Sequence, residues 1–139
     1  MKIMSIYPTS FSIFIFLVCF FSNAHAVNWV KYGNDANGDD FYVDTDSTKK
    51  TGDIVIFSGL RDLAEPEKNF GSLSGTGKFK VDCAESKTML LAYNFFSLNM
   101  GKGEIIAAIP IREKKWFYPP QNTIGNKQIQ FICSFNKQI

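Results

Sequence analysis

The stretch GKFKVDCAESKTMLLAYNFFSLNMGKGEIIAAIPI, residues 77–111, decides the fold. Its first piece, Gly77–Cys83, alternates: Phe79, Val81 and Cys83 share one face, and Lys78, Lys80 and Asp82 share the other. Period-two alternation of this kind marks a half-buried strand. The next two pieces are apolar on both faces. In Thr88–Leu98, Met89, Leu91, Tyr93 and Phe95 oppose Leu90, Ala92, Phe96 and Leu98. In Glu104–Ile111, Ile105, Ala107, Ile109 and Ile111 oppose Ile106 and Ala108. The segment NMGKG, residues 99–103, reads as the turn between them. A hairpin with one wet face does not need apolar residues on both sides, so each side of this one requires cover. Pro110 places the end of the last strand at an edge or a bulge.

Toward the N-terminus the same strand signals continue. Val27–Tyr32 (VNWVKY) and Phe41–Asp44 (FYVD) flank a cluster of Asn, Asp and Gly at 33–40, which reads as two strands and a loop. A Thr51-Gly52-Asp53 turn leads into a further strand, Asp53–Leu60. Residues 61–77 hold Pro66, Gly71, Gly75 and Gly77 without a clear period and read as a long loop. Toward the C-terminus the pattern is ambiguous. At period two, Ile129, Phe131, Cys133 and Phe135 form a strand face; at period 3.6, Ile124, Phe131, Ile132, Phe135 and Ile139 form a helical stripe with Thr123 as its N-cap. Period alone slightly favours the strand.

The first 26 residues read as a secretory signal peptide. Lys2 supplies a weak positive start, Phe11–Phe21 an apolar run, and Ala24-His25-Ala26 a small-residue cleavage site before Val27. An apolar run of about 11 residues is too short for a bilayer, which needs roughly 20. Cleavage would remove Cys19 and His25, leaving one domain of 113 residues, 27–139, with two cysteines and no histidine. In an oxidising compartment Cys83 and Cys133 are expected to pair. Such a bridge closes a loop of about 50 residues, which the chain-entropy argument values at about 4 kcal/mol.

Charge is unevenly distributed along the chain. Residues 27–67 carry nine acids and four bases, a net of −5; residues 68–139 carry four acids and ten bases, a net of +6. Separate placement of the two halves would make the domain dipolar and able to steer toward acidic partners. The expectation adopted is that a sheet interleaves them and the fields largely cancel. Nothing in the chain resembles the dense basic stripe of a nucleic-acid binder.

Beyond residue 26 the lack of histidine rules out Ser-His-Asp and Cys-His nucleophiles, histidine-ligated zinc and histidine-held haem iron. Ser72 and Ser74 lie near Lys78 and Lys80, but without an SxxK spacing. Asp44 and Asp46 would share one strand face, as a carboxylate dyad requires, and read more simply as a solvated strand end. The run Asp35–Asp39 has Asp40 where a calcium loop needs glycine and Asp46 where it needs glutamate, so it reads as a polar turn. Gly71–Gly77 (GSLSGTG) lacks the order of a phosphate loop and precedes a strand. The sequence predicts no enzyme, no metal site and no cofactor. Lys114 and Lys115 beside Trp116 form the best exposed candidate patch, should a sheet rim present it.

Taken together, Trp29-Val30-Lys31, Phe41–Asp44, Gly52, Leu60-Arg61-Asp62, Asp82-Cys83, Gly101–Glu104, Trp116, Pro119-Pro120 with Thr123, and Ile132-Cys133 carry a resemblance. In order and spacing they resemble the surface-adhesin protein E-like domain of exported bacterial proteins, over nearly all of residues 28–134. The resemblance implies a mainly β, α+β fold: a single antiparallel sheet of about six strands and a C-terminal helix tethered to it by Cys83–Cys133. It tips residues 123–136 toward helix. It also implies dimerisation through the sheet, so that the helix covers one face and a second subunit or a ligand the other. The family's namesake is lipid-anchored, yet Phe16-Leu17-Val18-Cys19 lacks the small residue expected before a lipobox cysteine. The expectation is therefore a periplasmic, secreted or cell-surface protein without a lipid anchor and with no membrane span after cleavage.

The function expected on this basis is a non-enzymatic, adhesin-like binding module for a protein partner such as a host extracellular-matrix component. Phe96, Ile106, Lys114, Lys115 and Trp116 are its candidate surface. The alternatives are a carrier of a small apolar ligand such as haem, and an inhibitor of a cell-wall-degrading enzyme acting through the Ser72–Gly77 loop.

Overall fold

Six strands pair strictly in chain order into one antiparallel sheet. They are β1 (Trp29–Asn34), β2 (Asp40–Thr51), β3 (Ile54–Asp62), β4 (Ser74–Asp82), β5 (Lys87–Phe96) and β6 (Ile105–Ile109), followed by one helix, α1 (Ile124–Phe135). The computed structural model describes residues 26–135. The expected signal segment up to residue 25, with Cys19 and His25, and Ile139 of the helical stripe lie outside the described residues.

The C-terminal segment is helical because its buried side chains recur at helical spacing: Gln128, Ile129 and Ile132 face the sheet. Thr123 caps the helix, its hydroxyl accepting the Asn126 N–H at 3.3 Å. Ile129 and Ile132 complete a core with Val43 of β2, Val55 and Phe57 of β3, and Val81 of β4. Tyr32 of β1 stacks on Phe131 at 5.9 Å, extending that layer over the first strand. Cys83, just beyond β4, is bonded to Cys133 on the helix, with Cα atoms 5.7 Å apart, well inside the range a disulfide accepts. The sheet and helix are thus joined covalently as well as by packing.

The structure departs from the sequence reading in four places. β4 begins at Ser74, so Ser74–Gly77 belongs to a strand and the loop is shorter. β2 continues through the polar residues Asp46–Thr51, which pair with β3 beyond a register shift between Asp44 and Lys49. There the Ser47 and Thr48 hydroxyls both donate to the Asp44 carbonyl, and this side-chain bonding shapes the irregularity. β5 carries a bulge: Phe79 pairs with Leu90 while Lys78 pairs with Ala92, leaving Leu91 as the extra residue. Leu90 therefore shares a face with Tyr93 and Phe95 rather than opposing them. Finally, chain-order pairing places the acidic half (β1–β3) beside the basic half (β4–β6) instead of interleaving them, so the charge difference runs across the sheet.

The helix covers only part of its side. The buried core draws residues from β2, β3 and β4 and none from β5 or β6. On the last hairpin Phe70, from the loop before β4, packs on Phe95 at 5.0 Å, and Tyr93 meets Phe95 edge-on at 5.0 Å.

Candidate functional site

On the face of the sheet opposite α1 no α-helix is laid among the described residues; the short turn Asn99–Gly101 folds onto it, with Gly101 close to Leu60 and Thr76. A groove of about 640 Å³ opens there, lined by Val27, Trp29, Asp44, Ser58, Thr76, Phe96 and the turn Met100–Lys102. Strand pairing builds it: Trp29 lies opposite Asp44, Asp44 opposite Ser58, and Phe96 opposite Ser74. Two aromatic side chains thus stand over a floor of short polar ones.

The lip of the groove is the β5–β6 turn, and it is fastened at several points. The Asp62 carboxylate accepts the Met100 N–H at 2.6 Å and the Asn99 side-chain amide at 3.1 Å. The buried Ser74 hydroxyl donates to the Leu98 carbonyl at 2.5 Å and accepts the Gly101 N–H at 2.9 Å. The Ser97 hydroxyl accepts the Glu104 N–H at 2.9 Å. Met100 and Gly101 both sit at positive φ, which these bonds hold in place. Serines that suggested a flexible or inhibitory loop are therefore structural: Ser72 and Ser74 are fully buried.

Beyond the lip runs β6, an edge strand whose Ile105 and Ile106 are 58% and 41% exposed, with Leu98, just before the turn, exposed as well. Ile106 is the extra residue of a bulge, because Phe96 pairs with Ile105 and Phe95 with Ala107. β6 stops immediately before Pro110. A short, bulged and Pro-terminated edge blunts indiscriminate strand pairing while leaving an apolar surface.

The residues singled out from sequence do not form one surface. Phe96 lines the groove, and Ile106 lies on the adjacent edge. Trp116 sits at the other end of β5, where Phe117 exchanges two 2.8 Å backbone hydrogen bonds with Thr88. Thr88 and Phe96 are eight residues apart on β5, about 25 Å at strand rise. Trp116 is half-buried under two cations, with Lys87 Nζ 4.9 Å and Lys80 Nζ 5.7 Å from its ring centre, so it supports charges. Lys114 and Lys115 are exposed beside it, and Lys115 pairs with Glu113 at 2.5 Å. Trp29 and the polar floor were not singled out as site residues. Their signal was the residue type alone, a tryptophan in a strand preceded by an apolar residue two positions earlier.

The carboxylates that raised catalytic or calcium readings are committed to structure. Asp39, 5% exposed, accepts Arg61 Nε at 2.9 Å, Arg61 Nη2 at 2.6 Å and the Ala64 N–H at 2.9 Å. Asp35 accepts the N–H groups of Asn37 and Asp39. Asp44 accepts those of Asn28 and Asp46, tying the chain before β1 to β2. No group of three His, Cys, Asp or Glu side chains able to hold a metal ion occurs among the described residues. Burial pushes the Tyr32, Tyr42 and Tyr93 hydroxyls up, and hydrogen bonds to Asp40 and Glu85 push Lys31 and Lys87 up. Two backbone N–H groups hold Glu67 below the usual carboxylate range. These shifts all lead away from neutrality, opposite to what proton transfer at pH 7 requires.

The model of the surface-adhesin protein E family matches residues 29–134. The chain belongs to that family. Among solved structures, crystal form II of Haemophilus influenzae protein E is similar with a TM-score of 0.61 at 20% identity, covering 76% of this chain and 87% of that one. A second structure of Haemophilus influenzae protein E gives 0.60 at 19% identity, covering 80% and 87%. Protein E from non-typeable Haemophilus influenzae gives 0.56 at 20% identity, covering 79% of each chain. At such identities the likeness is one of fold. No curated protein matches this chain. As in the family's description, the chain is of the surface-adhesin type, and no helix among its described residues is long and apolar enough to cross a membrane.

Proposed function

We propose that this surface-adhesin protein E family member is an exported, non-enzymatic module that binds a protein partner, a host extracellular-matrix component being the favoured class. Contact is made through the helix-free face and its β6 edge. The reading rests above all on the groove between Trp29 and Phe96, which continues past a fastened lip onto exposed Ile105 and Ile106. Half-buried aromatic side chains such as Trp29 and Phe96 beside exposed aliphatic ones are the kind of anchors protein recognition uses. Basic residues on the β4–β6 side, Lys78, Lys102, Lys114 and Lys115 among them, favour an acidic partner surface. Residues 1–26 direct export and are removed after Ala26, and a homodimer formed through the sheet would use the same edge. The inhibitor reading loses support because the serines of its supposed loop are buried.

The test is binding of the purified protein to immobilised extracellular-matrix proteins, comparing wild type with Trp29→Ala and Ile106→Asp, together with protease accessibility on intact cells. Both substitutions fall on accessible side chains and are expected to weaken binding at least tenfold while leaving the circular dichroism spectrum unchanged. Light scattering of Ile106→Asp reports whether the edge also joins two copies. Complete protection from protease on intact cells, or equal binding by both variants, would refute the proposal.

A further inference from the structure

A second recess lies on the other side of the sheet, under the first turns of α1. It has a volume of about 170 Å³ and its lining includes Tyr32, Phe41, Tyr93, Ile124 and Gln128. Its floor is backbone, because Gly59, Gly75 and Gly77 present no side chains on β3 and β4. A Cβ on Gly75 would fall 2.3 Å from the Tyr93 hydroxyl, and one on Gly77 would fall 2.6 Å from the Phe79 ring. The two rings therefore lie down across the glycines and fill the space that side chains there would take, and the recess opens beside the rings, under the start of α1.

We propose that this recess is a binding site for a small, neutral ligand of single-ring size that presents one oxygen to the Tyr93 hydroxyl. Size sets the first limit: an apolar cavity of about 150 Å³ is known to stay dry and accept benzene. Polarity sets the second. Gln128 lies beside the Tyr32 hydroxyl, and Arg61 is held by Asp39 with Asp35 close by. The Tyr93 hydroxyl, in contrast, makes no hydrogen bond among the described residues, its nearest charges being Arg61 and Asp39. That hydroxyl would hold a water only weakly, since a well-held water has two to four polar partners. It can orient a ligand whose remaining surface is apolar. Charge sets the third limit, because two carboxylates against one guanidinium near the mouth leave a net negative charge that disfavours anions. The site lies on the helix side of the sheet, apart from the groove, and stands independently of the partner-binding reading.

The experiment is amide NMR of the purified protein titrated with phenol, toluene and benzoate. Phenol and toluene should shift the amides of Gly59, Gly75, Gly77 and Gln128 saturably, with benzoate weaker than phenol. Tyr93→Phe should weaken phenol roughly three- to tenfold, the worth of one neutral hydrogen bond, and leave toluene unchanged. Gly59→Ala, whose Cβ would reach to 3.0 Å from the Phe79 ring, should weaken both ring probes. Absence of saturable shifts at those amides, or equal loss of phenol and toluene in Tyr93→Phe, would overturn the assignment.

Discussion

Replacing both bridged cysteines, as Cys83→Ala/Cys133→Ala, isolates what the covalent link contributes. The bridge spans 50 residues of sequence. Constraining a loop of that length in the unfolded chain is worth about 4 kcal/mol. Unfolding entropy of about 2.1 cal/mol/K per residue, over the 110 residues from 26 to 135, amounts to about 0.23 kcal/mol/K. The expected fall in melting temperature is therefore about 17 °C. The helix itself should stay docked at 25 °C. Ile129 and Ile132 are buried, and each side chain contributes about 1.5–3 kcal/mol by leaving water. Thermal melts followed by circular dichroism measure the loss, and amide exchange should show protection falling first in 128–135. A melting temperature lowered by less than about 5 °C, with wild type equally indifferent to reductant, would refute the reasoning.

Thr123→Ala removes the hydroxyl that caps α1 and should cost about 1 kcal/mol, roughly 4 °C, with the sheet unaffected; the check is the same melt. Alkaline stability follows from Tyr32. Its hydroxyl is pushed up by burial, so the folded state holds its proton more tightly than the unfolded chain does. The contribution is intact below the unfolded pKa near 10 and is lost as pH rises above it toward the folded value. In short denaturant titrations Tyr32→Phe should change stability at pH 7 by no more than about 1 kcal/mol and flatten the decline above pH 10. An unaltered slope would show that Tyr32 is not the titrating group.

Much of this architecture is legible in residue pattern, and the failures have identifiable causes. Alternation locates β4 and β5 because Phe79, Val81, Tyr93 and Phe95 obey period two, but pattern cannot see a bulge, and Leu91 resets the phase. Gly75 reads as loop, and Gly77 as the boundary between loop and strand, because glycine disfavours strands in isolation. They are strand because Phe79 and Tyr93 lie over them, a tertiary effect. The polar tail of β2 pairs through its backbone, so its side chains carry no signal. α1 is legible only through the family resemblance, since Phe131 and Phe135 fit both periods. Of the candidate surface, Phe96 lines the groove and Ile106 lies on the adjacent edge, while Trp116 lies at the far end of β5 because the chain beyond β6 keeps running antiparallel to β5 as far as Thr88.

Pairing each strand with its predecessor gives the chain a simple order of assembly. Each hairpin joins strands adjacent in sequence, so pairing can proceed stepwise along the chain. The docking of the tail on strands laid down long before it is the long-range event. Oxidation therefore secures a platform already built rather than guiding its construction. Any chain interrupted before Ile124 would expose Val43, Val55, Phe57 and Val81 together, a sticky surface that folding factors or proteases must meet.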